Sequence, residues 1–142
     1  MKIQDLLVEI EQDAKIDPHE VGKESLRIPS LHAKYLTYRS NEKMLLKQLN
    51  FNYNILYKER WLFYSGNATP QQYKEEEFDL KVLRGDIDIF IDGDAKLLEQ
   101  KAKIAVQESK VEAIEEYLKS LGQRGWVLKN VIEWQKLMGG GL

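Results

Sequence analysis

Hydrophobic positions along the chain recur mostly at intervals of three and four, the spacing that gathers them on one side of a helix. In residues 2–15, Ile3, Leu6, Leu7 and Ile10 follow this spacing with acids opposite, which predicts a short amphipathic helix. Asp17-Pro18 reads as a restart, since aspartate accepts from the free amides of a first turn and proline is harmless at the first helical position. A second helix is expected from Pro18 to about Tyr38, kinked or broken near Pro29, whose ring removes a donor and crowds the preceding turn. Ser40, with Glu42 and Lys43 after it, is the expected cap of a third and longest helix ending at Gly66. NATPQQYKEEE follows as a polar connector.

Residues 80–94, LKVLRGDIDIFIDGD, carry two patterns: alternation from Asp86 to Asp92 fits a short strand, whereas the flanks fit a helix. From Asp94 a helical stripe returns, with Leu97, Ile104, Val111 and Leu118 seven residues apart and Ile114 and Leu121 in the intermediate seam. Gly122-Gln-Arg-Gly125 is expected to break it, leaving a last apolar helix from Trp126 to Met138 before a flexible GGGL end. The predicted fold class is all-α, with long helices and a coiled-coil-like C-terminal region.

Helical geometry sorts the side chains of residues 39–65 at about 100° per residue. Arg39, Lys43, Lys47, Asn50, Asn54 and Lys58 share one narrow face, with Trp61 on the same side. Leu45, Leu46, Leu49, Tyr53, Leu56, Tyr57, Phe63 and Tyr64 form a second face, and Met44, Phe51, Ile55 and Leu62 a third stripe. Two apolar faces imply packing on two sides, one of which can be another subunit. Cations for phosphates, amides for hydrogen bonds and an aromatic for stacking are what single-stranded nucleic acid requires. A solvated lysine-rich helix face is the competing explanation. Arg60 falls within the second, apolar stripe, so its guanidinium needs a carboxylate or a hydrated interface.

Composition narrows the function classes. The chain has 142 residues with 43% hydrophobic content, enough for one core and short for two, so a single domain is expected. Within it, residues 1–66 form a helical part with the candidate nucleic-acid face, and 94–138 a helical part with the coiled-coil-like stripe. No cysteine and two histidines leave no thiolate ligand, cysteine nucleophile or histidine-rich metal site. The start, MKIQDLLVEIEQD, lacks the apolar run of a secretory signal, and no segment reaches membrane-spanning length. A formal net charge of -2 argues against a generally basic nucleic-acid coat. Asp88, Asp92, Gly93 and Glu99 imitate a calcium loop, but Phe90 takes a ligand position, and helix capping by Asp92 or Asp94 accounts better for the acids. Gly66-Asn-Ala-Thr-Pro lacks the Lys-Ser/Thr pair of a phosphate loop. The residues point to no enzyme, metal or cofactor.

The order of motifs resembles the UvsY family of recombination mediators of T4-like phages. The resemblance is carried by Ile16-Asp17, by Leu56-Tyr57-Lys58-Glu59-Arg60 with Tyr64-Ser65-Gly66, and by Ser120-Leu-Gly-Gln-Arg124-Gly125-Trp126. It spans nearly the whole chain and is looser over residues 67–100; Trp61 and Pro29 depart from the family pattern. What it implies is a non-enzymatic protein of the bacterial host's cytoplasm that binds single-stranded DNA as a closed ring of six or seven subunits. Such a protein displaces the phage single-strand-binding protein and loads a UvsX-like recombinase. The resemblance ties Lys58 and Arg60 to DNA binding and the C-terminal region to self-association, which makes residues 1–66 the DNA-binding part and 94–138 the oligomerisation part. Together with the helical faces, this makes Lys58, Arg60, Lys43, Lys47, Arg39, Asn54 and Trp61 the candidate DNA-binding residues. Leu97, Ile104, Val111, Ile114, Leu118, Leu121, Val131 and Trp134 are the candidate oligomerisation residues. A ring would repeat the modest basic strip of one acidic subunit and raise its effective concentration for a wrapped strand. A helical oligomerisation scaffold for protein partners, with no DNA contact, is the alternative.

Overall fold

The computed structural model describes residues 1–139, and among them only helices and connecting turns occur. They are α1 (Ile3–Ala14), α2 (Val21–Tyr64), α3 (Pro70–Glu75), a single 3-10 turn (Arg84–Asp86), α4 (Ile87–Asp92) and α5 (Ala95–Met138). The all-α class and the first helix are as the sequence predicts. Gly139 lies in a turn, and the rest of the expected flexible GGGL end, residues 140–142, is outside the described residues. No helix among the described residues is long and apolar enough to cross a membrane.

The two predicted helices on either side of residue 39 are one. α2 runs for 44 residues, with Ser40 in its interior rather than at a cap. It runs unbroken through Pro29, because Pro29 and Ser25, whose carbonyl loses its intrahelical partner, both face solvent, where water replaces the bond. α2 starts at Val21, not Pro18; the Asp17 carboxylate accepts the His19 N–H at 2.9 Å in a turn ahead of the helix. Its end is well defined. Gly66, at φ 82°, takes the left-handed position that a side chain disfavours, and the Gly66 and Asn67 amides donate to Phe63 and Leu62 carbonyls at 3.3 and 2.9 Å.

Two further expectations are corrected, and one open segment is decided. The connector after Gly66 contains α3, with the Thr69 hydroxyl accepting the Gln72 N–H at 3.3 Å and Pro70 at the first turn. The segment 80–94 contains no strand: Ile87 and Ile91, one turn apart, are buried while Ile89 is 69% exposed, so the helical period prevails over the alternation. α5 is unbroken at Gly122 and Gly125, which are solvent-facing, because Leu121, Arg124 and Leu128 keep one buried stripe through them.

The chain divides into two compact units, Met1–Met44 with Glu108–Leu142, and Leu45–Gln107. The core of the first joins Leu6 of α1, Leu31 and Tyr35 of α2, and Ile114, Tyr117 and Leu121 of α5. Arg124 locks α1 in place: its guanidinium donates to the Asp13 and Lys15 carbonyls at 2.9 and 3.1 Å, orphaned at the helix end, and to Glu24 at 2.7 Å. Burial disfavours the Glu24 carboxylate, but hydrogen bonds from Arg124 and Arg27 outweigh it and hold the pKa below the usual range. The second unit is built on Ile87, Ile91 and Leu97, against which Tyr53, Leu56, Trp61, Tyr64 and Val82 pack. The rings of Phe63, Tyr73 and Phe78 extend it.

Candidate nucleic-acid interface

The predicted basic face of α2 divides into cations with partners and cations without. In the first unit, Arg39 Nε donates to Glu115 at 3.1 Å and Lys43 Nζ lies 3.7 Å from the same carboxylate. The Arg39 hydrogen bond is the main reason that the Glu115 pKa is lowered. On another face of the same helix, Lys34 shows what full pairing looks like: it lies 2.7 Å from both Glu9 and Asp13. Burial works against its charge, yet those bonds push its pKa up to about 12. In the second unit, Lys47 and Lys58 are exposed and, among the described residues, have no carboxylate within ion-pair distance. Asn50 and Asn54 stand between them at helical spacing, also exposed and with side-chain amides unbonded among the described residues. Trp61 continues the same side, half-buried, with its inner surface on the Ile87, Ile91 and Leu97 core.

Arg60 has a different environment. Its side chain is 3% exposed, in the apolar stripe where the sequence places it. Nη1 and Nη2 donate to the two Glu76 oxygens at 2.7 and 2.8 Å, Nε donates to Asp94 Oδ2 at 2.7 Å, and Nη2 lies 3.3 Å from the Tyr64 hydroxyl. Tyr64 in turn donates to Asp94 Oδ2 at 2.6 Å, while Asp94 Oδ1 accepts the Leu97 N–H at 2.9 Å and so caps α5. The guanidinium also lies 4.3 Å from the centre of the Phe63 ring. Burial opposes the charge of Arg60, but bonds to Glu76, Tyr64 and Asp94 prevail and raise its pKa. For Asp94, burial pushes upward and is overcome by Tyr64, the Leu97 amide and Arg60, so the carboxyl is held low. Glu76 is lowered chiefly by the Arg60 hydrogen bonds.

This is the carboxylate partner that an arginine in an apolar stripe requires, and it ties the end of α2 to the start of α5 and the segment after α3. Asp94 was legible as a cap but not as the partner of Arg60. Glu76, in what reads as a connector, carried no signal.

The candidate oligomerisation residues are distributed differently from a coiled-coil seam. Leu97, Ile114 and Leu121 are buried in the chain's own cores, Val111 is also buried, and Leu118 packs against the core of the first unit. Ile104 and Val131 are half-buried. Trp134 is exposed, as are Trp126, Leu137 and Met138 around it.

The family model for UvsY, described as a recombination, repair and ssDNA binding protein, matches residues 9–141. No curated protein sequence matches the chain. Crystal structures of the bacteriophage T4 recombination mediator protein UvsY have a similar fold. The lattice type II structure gives a TM-score of 0.83 at 18% identity, covering 98% of each chain. Lattice type IV gives 0.81 at 17% identity, over 97% of this chain and 99% of the other. Lattice type I gives 0.81 at 18% identity, over 94% and 98%. With the family model matched across nearly its whole length and the fold shared from end to end, the chain belongs to the UvsY family of recombination and repair proteins.

Proposed function

We propose that this protein is a recombination mediator that binds single-stranded DNA through the exposed face of α2. One observation carries the reading: in a member of a family described as binding single strands, Lys47 and Lys58 are exposed without ion pairs, with the free amides of Asn50 and Asn54 between them. Two cations neutralise phosphates, and the amides hydrogen-bond to sugar, phosphate or base edges without fixing a sequence. Arg39 and Lys43 contribute more weakly, since Glu115 competes with phosphate for both. Arg60 is a positioning residue, holding the end of α2 and hence Lys58 and Trp61.

The work is done by binding and strand deformation, with no chemical step. A strand held in an altered shape loses its fit to the phage single-strand-binding protein and is presented to a UvsX-like recombinase in the bacterial host's cytoplasm. We infer a homo-oligomer, a closed ring of six or seven subunits, which multiplies the strip and offsets the net charge of -2 on each chain. Exposed Trp126, Trp134, Leu137 and Met138 of α5 supply its contacts, within the oligomerisation part at 94–138. We infer a single functional domain over residues 1–142.

Fluorescence anisotropy of a labelled oligonucleotide at increasing salt tests the reading. The expected result is single-strand binding, little dependent on sequence, that weakens steeply with salt and is not competed by equal amounts of duplex. A helical scaffold for protein partners would show no salt-dependent strand binding.

A further inference from the structure

The polar face of α2 does not stop at Lys58. Trp61 and Ser65 follow it at steps of three and four residues, and they form one wall of a cavity of about 380 Å³. Asn67, Val82, Arg84 and Ile87 complete the lining, so the cavity lies wholly within the second unit. Its volume falls in the range of about 300–1,000 Å³ typical of small-ligand sites.

The chemistry of its walls is unusually open. The half-buried Trp61 indole rests on the core, and its N–H makes no hydrogen bond among the described residues. Asn67 Nδ2 donates to Ser65 Oγ at 3.0 Å, and Ser65 Oγ donates to the Leu62 carbonyl at 3.0 Å. This chain of bonds orients the Asn67 amide and leaves its carbonyl oxygen as an unused acceptor. Arg84, exposed on the 3-10 turn, has no ion pair among the described residues, in contrast to the buried and saturated Arg60. Residues that offer an aromatic surface with a free donor, a free acceptor, an apolar floor from Val82 and Ile87 and an unpaired guanidinium therefore line one cavity where the strip ends.

We propose that this cavity is a nucleobase subsite, resting on the single-strand reading above. One base of the bound strand leaves its stack and enters against Trp61, with its edge between the indole N–H and the Asn67 carbonyl, while Arg84 holds an adjoining phosphate. Every base offers both a donor and an acceptor on its pairing edge and a π-face, so the subsite accepts any of them. It gives the protein a means of fixing the register of a strand and breaking its stacking, which lysines alone do not.

Affinities for an oligothymidine and for a strand of equal length with abasic sugars test the proposal, using the full chain at fixed salt. The wild type is expected to bind the base-bearing strand about tenfold or more tightly, given the stacking energy of a base on an aromatic. Trp61→Leu, Arg84→Gln and Asn67→Ala should each weaken oligothymidine binding. Trp61→Leu and Asn67→Ala should also bring the ratio toward one, whereas Lys58→Ala should weaken both strands and preserve it. Asn67→Ala, an exposed change, keeps the test valid if Trp61→Leu loosens the core. Equal wild-type affinity for the two strands with a steep salt dependence overturns the subsite alone, as does a ratio untouched in both Trp61→Leu and Asn67→Ala. Failure of the wild type to bind either strand overturns the single-strand reading and the subsite together.

Discussion

Lys58 and Arg60 stand two positions apart in sequence, and about 200° of helix separates their side chains, which sends one into solvent and the other into a nest of carboxylates. Removing a partner from a buried pair leaves an uncompensated charge, so Arg60→Ala is expected to destabilise the fold by about 3–5 kcal/mol. Lys58→Ala, on an exposed helix face, should stay within about 0.5 kcal/mol of wild type in the same urea titration. Acid should erase the difference. The Asp94 and Glu76 pKa values are depressed in the folded state, so their stabilising contribution is full above the ordinary carboxylate range, about pH 4, and is lost as pH falls through the lowered values. The stability gap between wild type and Arg60→Ala should therefore narrow below about pH 4; a gap independent of pH down to 2 would contradict the pairing. An arginine amid Leu49, Tyr53, Leu56 and Tyr64 announces from sequence that it needs an anion. Which anion answers depends on the fold, since Glu76 and Asp94 are 16 and 34 residues away.

At the level of elements, residues that ordinarily end helices lie inside α2 and α5. Periodicity located the apolar stripes of both, but local rules placed breaks at Pro29, near Ser40 and at Gly122-Gly125, where burial on the opposite face carries the helix onward. A β-carbon added at Gly122 or Gly125 meets nothing within 4 Å. Each Gly→Ala change should thus raise stability by about 0.5–1 kcal/mol, the difference in helix propensity, observable as a higher Tm. A loss of stability would mean that these positions need glycine for another reason. The same logic explains what the sequence hid in residues 80–94: strand-like alternation and a helical Ile87/Ile91 pair coexist there, and only the core they meet decides between them.

Considered as a whole molecule, an acidic chain with the proposed affinity for acidic DNA would need many copies of a small basic strip. The heptad stripe of α5 reads as the contact between copies, yet most of it is occupied by the chain's own cores. Val111→Glu is accordingly expected to unfold the protein, with loss of helical signal in circular dichroism, rather than to yield a folded monomer. Trp134→Glu with Leu137→Glu, on the exposed end of α5, should instead keep the helicity and lower the mass in light scattering. Retention of the oligomeric mass in that double variant would place the interface elsewhere.

The central claim, that the unpaired cations of α2 hold the strand, is tested most directly by the salt dependence of single-strand affinity in Lys47→Ala/Lys58→Ala. Each lysine that releases a counterion contributes about 0.7 to the slope of log affinity against log salt concentration. The double variant is expected to remain folded and assembled, bind more weakly, and lose about 1.4 from that slope for every subunit engaged. A folded and assembled double variant with the wild-type affinity and slope would contradict the account.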